Sequence, residues 1–226
     1  MKIINDLSVD DLYRLVEKQL YNLFEFDKSN ETKLLYRGID IALKRIERNF
    51  ANNKNKYYSK DGKPFFNPFH SGQYTIFLYY LSNTIKKESG TLADRIYFLN
   101  KALNAVDLFY EIELPEVFFL EHPVGAVMGR AEYANFFNFS QNCTVGNNKG
   151  VYPKFGEYVT MLSGSKVIGD TKIGKHCIIA ANTYIKDTEI PDNSIVFGSS
   201  PDLIIKRRTK EEMDNFFAEQ WRTEQG

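Results

Sequence analysis

Apolar residues recur at helical spacing through roughly the first 105 residues of the chain. One run follows Ser8 and two aspartates, a typical helix start, and consists of Leu12, Leu15, Val16, Leu20 and Leu23. Similar runs predict helices over about 31–50, 69–87 and 91–105, and the Asn-, Gly- and Pro-containing stretch between the second and third predicts a loop. The pattern therefore predicts an N-terminal α-helical domain over residues 1–105.

The second half of the chain follows a different period. Every sixth residue is apolar in the series Phe155, Met161, Val167, Ile173, Ile179 and Ile185, and again in the series Val127, Tyr133, Phe139 and Val145. A period of six is typical of a parallel β-helix, in which three short strands and three turns make one coil. We expect this domain over residues 106–200. A tail and an amphipathic helix follow over 201–226, and we expect that helix to cap the open end of the coil.

The two series of sixes are out of register with each other. Val145 and Phe155 are ten residues apart, so about four extra residues leave the coil within "GNNKGVYPK". Loops that leave a regular solenoid are frequent positions for binding residues. The sequence therefore predicts a functional loop at this point.

Charge and cysteine content narrow the class of protein. The 29 basic residues balance the 29 acidic residues, so no net field favours nucleic acid as a partner. The apolar runs are too short to cross a bilayer, and the N-terminus lacks the features of a signal peptide. Cys143 and Cys177 form neither a disulfide framework nor a metal-binding spacing. These features predict a cytoplasmic protein with reduced thiols, without membrane insertion and without a metal.

Several motifs carry a resemblance to a known family. The hexads "IGKHCI" and "IAANTY" resemble those of the hexapeptide acyltransferases, and "LEHPVGAVMG" resembles the stretch around the catalytic base of their serine acetyltransferase branch. Weaker similarities at "NPFHSGQYTIF", "CTVGN" and "FGSSPDLIIK" extend it over about residues 67–207. The resemblance implies an α+β fold: an N-terminal helical domain, a left-handed parallel β-helix and a C-terminal helix.

The resemblance assigns a general base and its partners. His122 matches the catalytic histidine, and Asp107, fifteen residues earlier, matches the aspartate that orients it. An imidazole, with an ordinary pKa of about 6.5, can accept the proton of an attacking hydroxyl, and a carboxylate on its other nitrogen fixes the tautomer. Glu121 takes the place of an aspartate that contacts the acceptor. The alternative is that His122 is a hydrogen-bonded histidine on a structural turn.

The acetyl donor implied by the resemblance is acetyl-CoA, with no metal. Asn147, Ser163 and Ala181 match positions along the coenzyme groove, and Lys206 could meet the phosphates of the coenzyme. Ordinary tight turns are the alternative for Ser163 and Ala181, and a solvated basic run is the alternative for Lys206. The family builds its sites between neighbouring subunits, so we expect a homotrimer, with hexamers possible through the N-terminal helices.

Two departures from the family pattern concern the acceptor. The family has Arg-His-Pro-Lys after the extruded loop, whereas this chain has Val151, Tyr152, Pro153 and Lys154. Tyrosine can donate a hydrogen bond but is not a cation at neutral pH. We therefore expect Tyr152, Lys154 and Glu121 to line a site for a saccharide acceptor of surface polysaccharide assembly. The alternatives are a serine acetyltransferase of cysteine biosynthesis, an N-acetyltransferase for an amino sugar, and a trimeric scaffold without activity.

The other histidines and the cysteines predict structure rather than chemistry. His70 lies among aromatic residues on a predicted helix and is expected to be packed and hydrogen-bonded. His176 is expected to face solvent. Cys143 and Cys177 fall on inward positions of the hexads and are expected to be core residues.

Overall fold

The computed structural model describes residues 3–222 and divides into two compact units. The first unit contains the described residues up to 51 together with residues 55–111, and the second contains residues 52–54 and the chain from 112 onward.

Four helices form most of the first unit, as the apolar pattern predicts. They are α1 (Val9–Leu23), α2 (Lys28–Ala51), α3 (Ser71–Ile85) and α4 (Gly90–Asn104). The Ser8 hydroxyl accepts a hydrogen bond from the backbone N–H of Asp11 at 3.1 Å, which confirms the expected N-cap of α1. Almost all of α3 is buried, because apolar residues occur on every side of this helix.

Four short strands accompany these helices among the described residues. They are β1 (Ile4–Asn5), β2 (Ser59–Lys60), β3 (Lys63–Phe66) and β4 (Asp107–Leu108), and two of them, β2 and β3, lie within the predicted loop. Strand β3 pairs in parallel with β1 and antiparallel with β2, across a turn in which Asp61 and Gly62 have positive φ. The turn residues therefore indicate a hairpin within the predicted loop.

The second unit is a parallel β-solenoid of about five turns. Its strands are β5 (Phe118–Glu121), β6 (Val127–Met128), β7 (Glu132–Tyr133), β8 (Phe137–Ser140), β9 (Thr144–Gly146), β10 (Lys154–Phe155), β11 (Val159–Met161), β12 (Lys166–Ile168), β13 (Lys172–Ile173), β14 (Cys177–Ile179), β15 (Tyr184–Lys186), β16 (Glu189–Ile190), β17 (Ser194–Ser199) and β18 (Asp202–Arg207). Strand β18 pairs antiparallel with β17 and ends the regular coil.

Strands of successive coils stack into three faces. The first face contains β5, β8, β11, β14 and β17; the second contains β6, β9, β12 and β15; and the third contains β7, β10, β13 and β16. We call the turns from the first to the second face the first corner, those from the second to the third face the second corner, and those from the third face to the next coil the third corner.

The register of the strands explains the period of six. Val159 pairs with Cys177 and Lys166 with Tyr184, each 18 residues on, which is three hexads per coil. Thr144 pairs with Lys166, 22 residues on, so four extra residues lie in the second coil as predicted. Every member of the apolar series starting at Phe155 is buried, which contributes about 1.5–3 kcal/mol for each large side chain.

The final helix, α5 (Lys210–Gln220), does not cap the open end of the coil, so that expectation is wrong. It packs on the outer side of the first face, where its Met213 and Phe217 join Val117 and Ile178 in one buried cluster with Trp221. Outward-pointing apolar residues on alternate positions of the first face supply this second core. Residues 52–54 also lie in this unit, and Asn53 forms a β-bridge with Trp221.

Candidate functional site

His122 lies at the first corner of the solenoid, directly after β5. Its φ is +48°, an uncommon conformation for a residue other than glycine, and its side chain is exposed. The backbone turns sharply here, because the N–H of Val124 donates to the carbonyl of His122 at 2.7 Å. Glu121, the last residue of β5, is also exposed. The turn thus presents a carboxylate and an imidazole side by side in sequence at one corner.

Small residues occupy the first corner in and after the coil that contains His122. Gly125, Asn142, Gly164 and Asn182 follow one another in successive coils, all with positive φ. A side chain on Gly164 would clash with Asn182, because its Cβ would lie 2.5 Å from Oδ1 of the asparagine. Glycine is therefore required in the coil before each asparagine. The alternation brings the coils close together and leaves these four positions without bulky side chains.

Ser163 and Ala181 lie at this same corner, one coil apart. The N–H of Asn182 donates to the carbonyl of Ser163 at 2.9 Å, which stacks the two turns. Ala181 is exposed and Ser163 is half-buried. The structure therefore brings two of the predicted coenzyme residues to the corner that carries His122.

Asp107 lies in the first unit, on β4. Its Oδ1 accepts a hydrogen bond from the Tyr97 hydroxyl at 2.8 Å, and its Oδ2 lies 2.6 Å from Nζ of Lys101. Burial, and then the hydrogen bond to Asp107, raises the pKa of Tyr97. The hydrogen bond to Asp107 also raises the pKa of Lys101. Its pairing with His122 stays a prediction.

The predicted loop leaves the solenoid at the second corner, between β9 and β10. Asn148 and Val151 exchange two backbone hydrogen bonds of 3.1 and 3.0 Å around Lys149 and Gly150, both with positive φ. This is a two-residue hairpin turn of type I′. Asn147 precedes the turn, is exposed, and accepts a hydrogen bond from the N–H of Gly150 at 3.4 Å.

Two predicted acceptor residues follow the hairpin. Tyr152 is 39% exposed, and Lys154, at the start of β10, forms an ion pair of 2.6 Å with Glu132. Both lie at the second corner, whereas His122 and Glu121 lie at the first. Within one chain, the proposed base and these two acceptor residues therefore lie at separate corners.

A residue pair that sequence reasoning missed supports this loop. Nδ2 of Asn148 donates to Oδ2 of Asp187 at 2.6 Å. The only sequence signal is the Asn-Lys-Gly turn composition, because the partner carboxylate is 39 positions further along the chain.

Lys206 lies on β18 and is exposed, with Nζ 5.3 Å from the ring centroid of Phe197. The ammonium group therefore makes a cation–π contact within the hairpin of β17 and β18. Its contact with a phosphate stays a prediction.

The third corner carries a ladder of aromatic rings that the sequence analysis did not identify. The stacked rings of Phe136 and Tyr158 have centroids 4.2 Å apart, and those of Tyr158 and His176 have centroids 4.8 Å apart. All three residues have positive φ. The side chain of His176 is 20% exposed and its Nε2 lies 3.5 Å from Oδ1 of Asp214 on α5. The expectation that His176 faces solvent is therefore wrong, because α5 covers this corner.

A cavity of about 650 Å³ lies between this ladder and α5. Its lining includes Tyr158, His176, Asp214 and Arg222, but none of the predicted site residues lines it. The predicted chemistry therefore lies outside this cavity.

The other expected structural residues lie as predicted. The ring of His70 packs against Tyr57 and Tyr58, and its Nδ1 accepts a hydrogen bond from the N–H of Gln73 at the start of α3. Cys143 and Cys177 are buried and free, and burial raises the pKa of the Cys177 thiol to about 11. A thiol with a raised pKa is a poor nucleophile, which agrees with a role in the core.

Residues 3–222 contain no group of three His, Cys, Asp or Glu side chains that could hold a metal ion. No helix formed by these residues is both long and apolar enough to cross a membrane.

Comparison with known proteins gives similarity to one enzyme family. No protein-family model matches the chain. A serine acetyltransferase of Staphylococcus epidermidis is 22% identical over 155 residues, 61% of this chain and 67% of that relative. The serine acetyltransferase of Staphylococcus aureus strain Mu50 is 21% identical over 155 residues, again 61% of this chain and 67% of that relative.

Solved structures give the same result for the fold. A serine acetyltransferase in complex with CoA has a TM-score of 0.66 at 17% identity, covering 88% of this chain and 84% of that one. Neisseria gonorrhoeae serine acetyltransferase has a TM-score of 0.63 at 19% identity, covering 92% and 84%. These similarities contradict the expected saccharide acceptor, because the relatives in both sequence and fold are serine acetyltransferases. The chain thus resembles the serine acetyltransferase branch of the hexapeptide-repeat acyltransferases, and it has their fold: a helical N-terminal part, a left-handed parallel β-solenoid and a C-terminal helix.

Proposed function

We propose that this protein transfers an acetyl group from acetyl-CoA to the hydroxyl of L-serine. The observation that carries the proposal is the exposed imidazole of His122, which lies at the head of a corner built from small residues. The similarity to serine acetyltransferases in sequence and fold supports serine as the acceptor. The proposed setting is the cytoplasm, as the sequence predicts.

His122 is the proposed general base. Its neutral imidazole accepts the proton of the serine hydroxyl as the oxygen attacks the thioester carbonyl, and returns the proton to the departing thiolate. This route needs no covalent enzyme intermediate, since the alcohol attacks the donor directly. Removing the proton during attack matters because the pKa of an alcohol is far above neutral.

The proposed coenzyme groove runs along the first corner. Ser163 and Ala181 have small side chains there, so a pantetheine arm could approach the backbone closely. Asn147 and Lys206 are proposed to contact other parts of the coenzyme, Lys206 through phosphate. Acetyl-CoA supplies the acetyl group as an activated thioester.

Asp107 is proposed to orient the imidazole of His122, and Tyr152 to bind the acceptor. Asp107 accepts from Tyr97 and Lys101, which hold its carboxylate in one orientation. With a tyrosine where the family has histidine, the hydroxyl of Tyr152 would donate a hydrogen bond to the carboxylate of serine. Lys154 and Glu121 are proposed to contribute to the charge of the same acceptor site.

The separation of the two corners supports a homotrimer. His122 follows β5 at the first corner, whereas Tyr152 follows the hairpin at the second corner, so the second face of the solenoid separates the two corners. A site between neighbouring subunits, with the first corner of one chain facing the second corner of the next, would bring them together.

The experiment is acetyl transfer followed as free-thiol release, with L-serine, L-threonine and L-homoserine as acceptors. We expect turnover with L-serine and O-acetyl-L-serine as the product by mass spectrometry. Thiol release with L-serine no faster than hydrolysis of acetyl-CoA would contradict the proposal.

Mixing variants tests the placement of the site. Hybrid trimers of His122→Ala and Tyr152→Ala chains contain some interfaces with both wild-type residues. We expect the mixture to be more active than either variant alone. Equal activity would contradict a site shared between chains.

A further inference from the structure

A single carboxylate connects three coils beneath the second-corner loop. Oδ2 of Asp187 accepts the hydrogen bond of 2.6 Å from Nδ2 of Asn148, and Oδ1 accepts from the N–H of Asp170 at 2.9 Å. The three residues follow β9, β12 and β15, so they belong to successive coils. Charge-assisted hydrogen bonds of this kind are stronger than neutral ones, so Asp187 is suited to hold the loop against the solenoid.

Gly169 provides the space for this arrangement. Its φ is +74°, and an added Cβ would lie 2.0 Å from Oδ1 of Asp187 and 2.7 Å from Cβ of Asn148. Any side chain at position 169 would therefore displace the carboxylate or the asparagine. We call the hydrogen bonds of Asp187 to Asn148 and Asp170 the bridge, and this bridge requires glycine at position 169.

The bridge extends through the hairpin to Tyr152. Asn148 is held to Val151 by two backbone hydrogen bonds, and Tyr152 is the next residue. Because the turn between Asn148 and Val151 has only two residues, it has little freedom to absorb a shift. The position of Asn148 thus constrains the backbone on the N-terminal side of Tyr152.

We infer that Asp187 is a positioning residue for the acceptor site: through Asn148 it fixes the hairpin that presents Tyr152. The inference rests on the proposed function in one respect, the role of Tyr152 toward the acceptor. Asp187 itself is not proposed to touch either substrate.

The kinetic experiment compares Asp187→Ala with Asp192→Ala as a matched control. Asp192 also accepts from a backbone N–H, that of Lys175 at 2.8 Å, beside a glycine at the third corner and away from the hairpin. We expect Asp187→Ala to raise the KM for L-serine about ten-fold, with kcat and the KM for acetyl-CoA within about two-fold of wild type. Asp192→Ala should leave all three constants unchanged. An unchanged KM for L-serine in Asp187→Ala would overturn the inference.

Exchanging the two partners tests whether the bridge itself matters. Asn148→Asp alone places two carboxylates together, and we expect it to raise the KM for L-serine. The double variant Asn148→Asp/Asp187→Asn restores one amide–carboxylate hydrogen bond with the groups reversed. Recovery of the KM in the double variant supports positioning through the bridge, and a double variant no better than Asn148→Asp overturns it.

Hydrogen exchange separates this inference from the proposed function. We expect the backbone amide of Val151 to exchange faster in Asp187→Ala than in Asp192→Ala or wild type. Unchanged protection at Val151 would overturn the positioning role whichever acceptor the enzyme uses. Absence of serine turnover in the wild type, with Val151 loosened only in Asp187→Ala, would reject serine as the acceptor and support Asp187 as the anchor of the hairpin.

Discussion

The first and third corners of the solenoid use the same backbone turn for opposite purposes. Both repeat a residue with positive φ in each coil. At the first corner these residues, apart from His122, are glycine and asparagine, as in Gly164 and Asn182, and the surface stays open. At the third corner they include Phe136, Tyr158 and His176, whose rings stack and are covered by α5.

The backbone turn is the same at the two corners, so the difference between an open and a covered corner comes from the side chains. Left-handed backbone costs of order 1–3 kcal/mol for a residue such as phenylalanine, and aromatic stacking returns about 0.5–1.5 kcal/mol per pair. Burial of the rings under α5 supplies the rest. Glycine and asparagine adopt this backbone more easily, so the first corner needs no covering helix and can accept a ligand.

The largest expected effect comes from substituting His122 and His176 one at a time. His122→Gln should lower kcat with L-serine by about 10²- to 10⁴-fold, because the proposed general base is lost. His176→Gln removes a ring at the third corner and should leave kcat within about two-fold. Steady-state kinetics on both purified variants check this. A His122→Gln enzyme with normal kcat would show that the open corner is not catalytic.

The next effect concerns the covered corner. Phe217 is 1% exposed and packs against the rings of Tyr158 and His176. Phe217→Ala should lower the free energy of unfolding by about 3–5 kcal/mol, by loss of apolar burial and formation of a void. Urea denaturation measures it, with the exposed Ile204→Ala as control. A loss below about 1 kcal/mol would mean that α5 contributes little to this corner.

A smaller effect is expected from making the open corner resemble the covered one. Ala181→Phe places a ring where the pantetheine arm is proposed to lie, so the KM for acetyl-CoA should rise about ten-fold. The unfolding midpoint should change little, because Ala181 is exposed. Ala181→Ser, which stays small, is the control, and equal KM values in the two variants would place the coenzyme elsewhere.

The smallest effect is a dependence of stability on pH. Burial lowers the pKa of His176 from its ordinary 6.5, and Asp214 only partly offsets this; Lys210, Asp192 and Glu157 also act on the ring. The unfolded chain therefore binds a proton more readily, so the free energy of unfolding falls as pH drops through 6.5 toward the lower folded value. His176→Gln should show a smaller fall in urea midpoint between pH 7.5 and 5.5. An identical fall would assign the dependence to other groups.

Most of the fold could be predicted from the chain because its signals are local. The helices of the first unit follow from apolar spacing and from a cap at Ser8, and the coil follows from a period of six that recurs without long-range information. The insertion at the second corner was predicted from the ten residues between Val145 and Phe155. His122 was identified by a motif within ten residues.

The acceptor could not be predicted in the same way. The change to Val151 and Tyr152 was interpreted as a change of substrate class, and the relatives contradict that interpretation. A substituted loop residue shows which contact is lost, but another group can take over the same contact. Side-chain identity at one position therefore constrains a substrate weakly.

The sequence by itself determined the two architectures, the inward core from Phe155 onward and the candidate base, since each depends on residues close together in the chain. It placed Val127 inward, whereas Met128 is the buried residue and Val127 is exposed. The tertiary structure decided which surface α5 covers, which corner each site residue occupies, and that Asn148 meets Asp187. These outcomes depend on contacts between residues far apart in sequence, whose partners are selected by the stacking of coils. A periodic sequence specifies that coils stack, and only the register of those coils specifies which side chains meet.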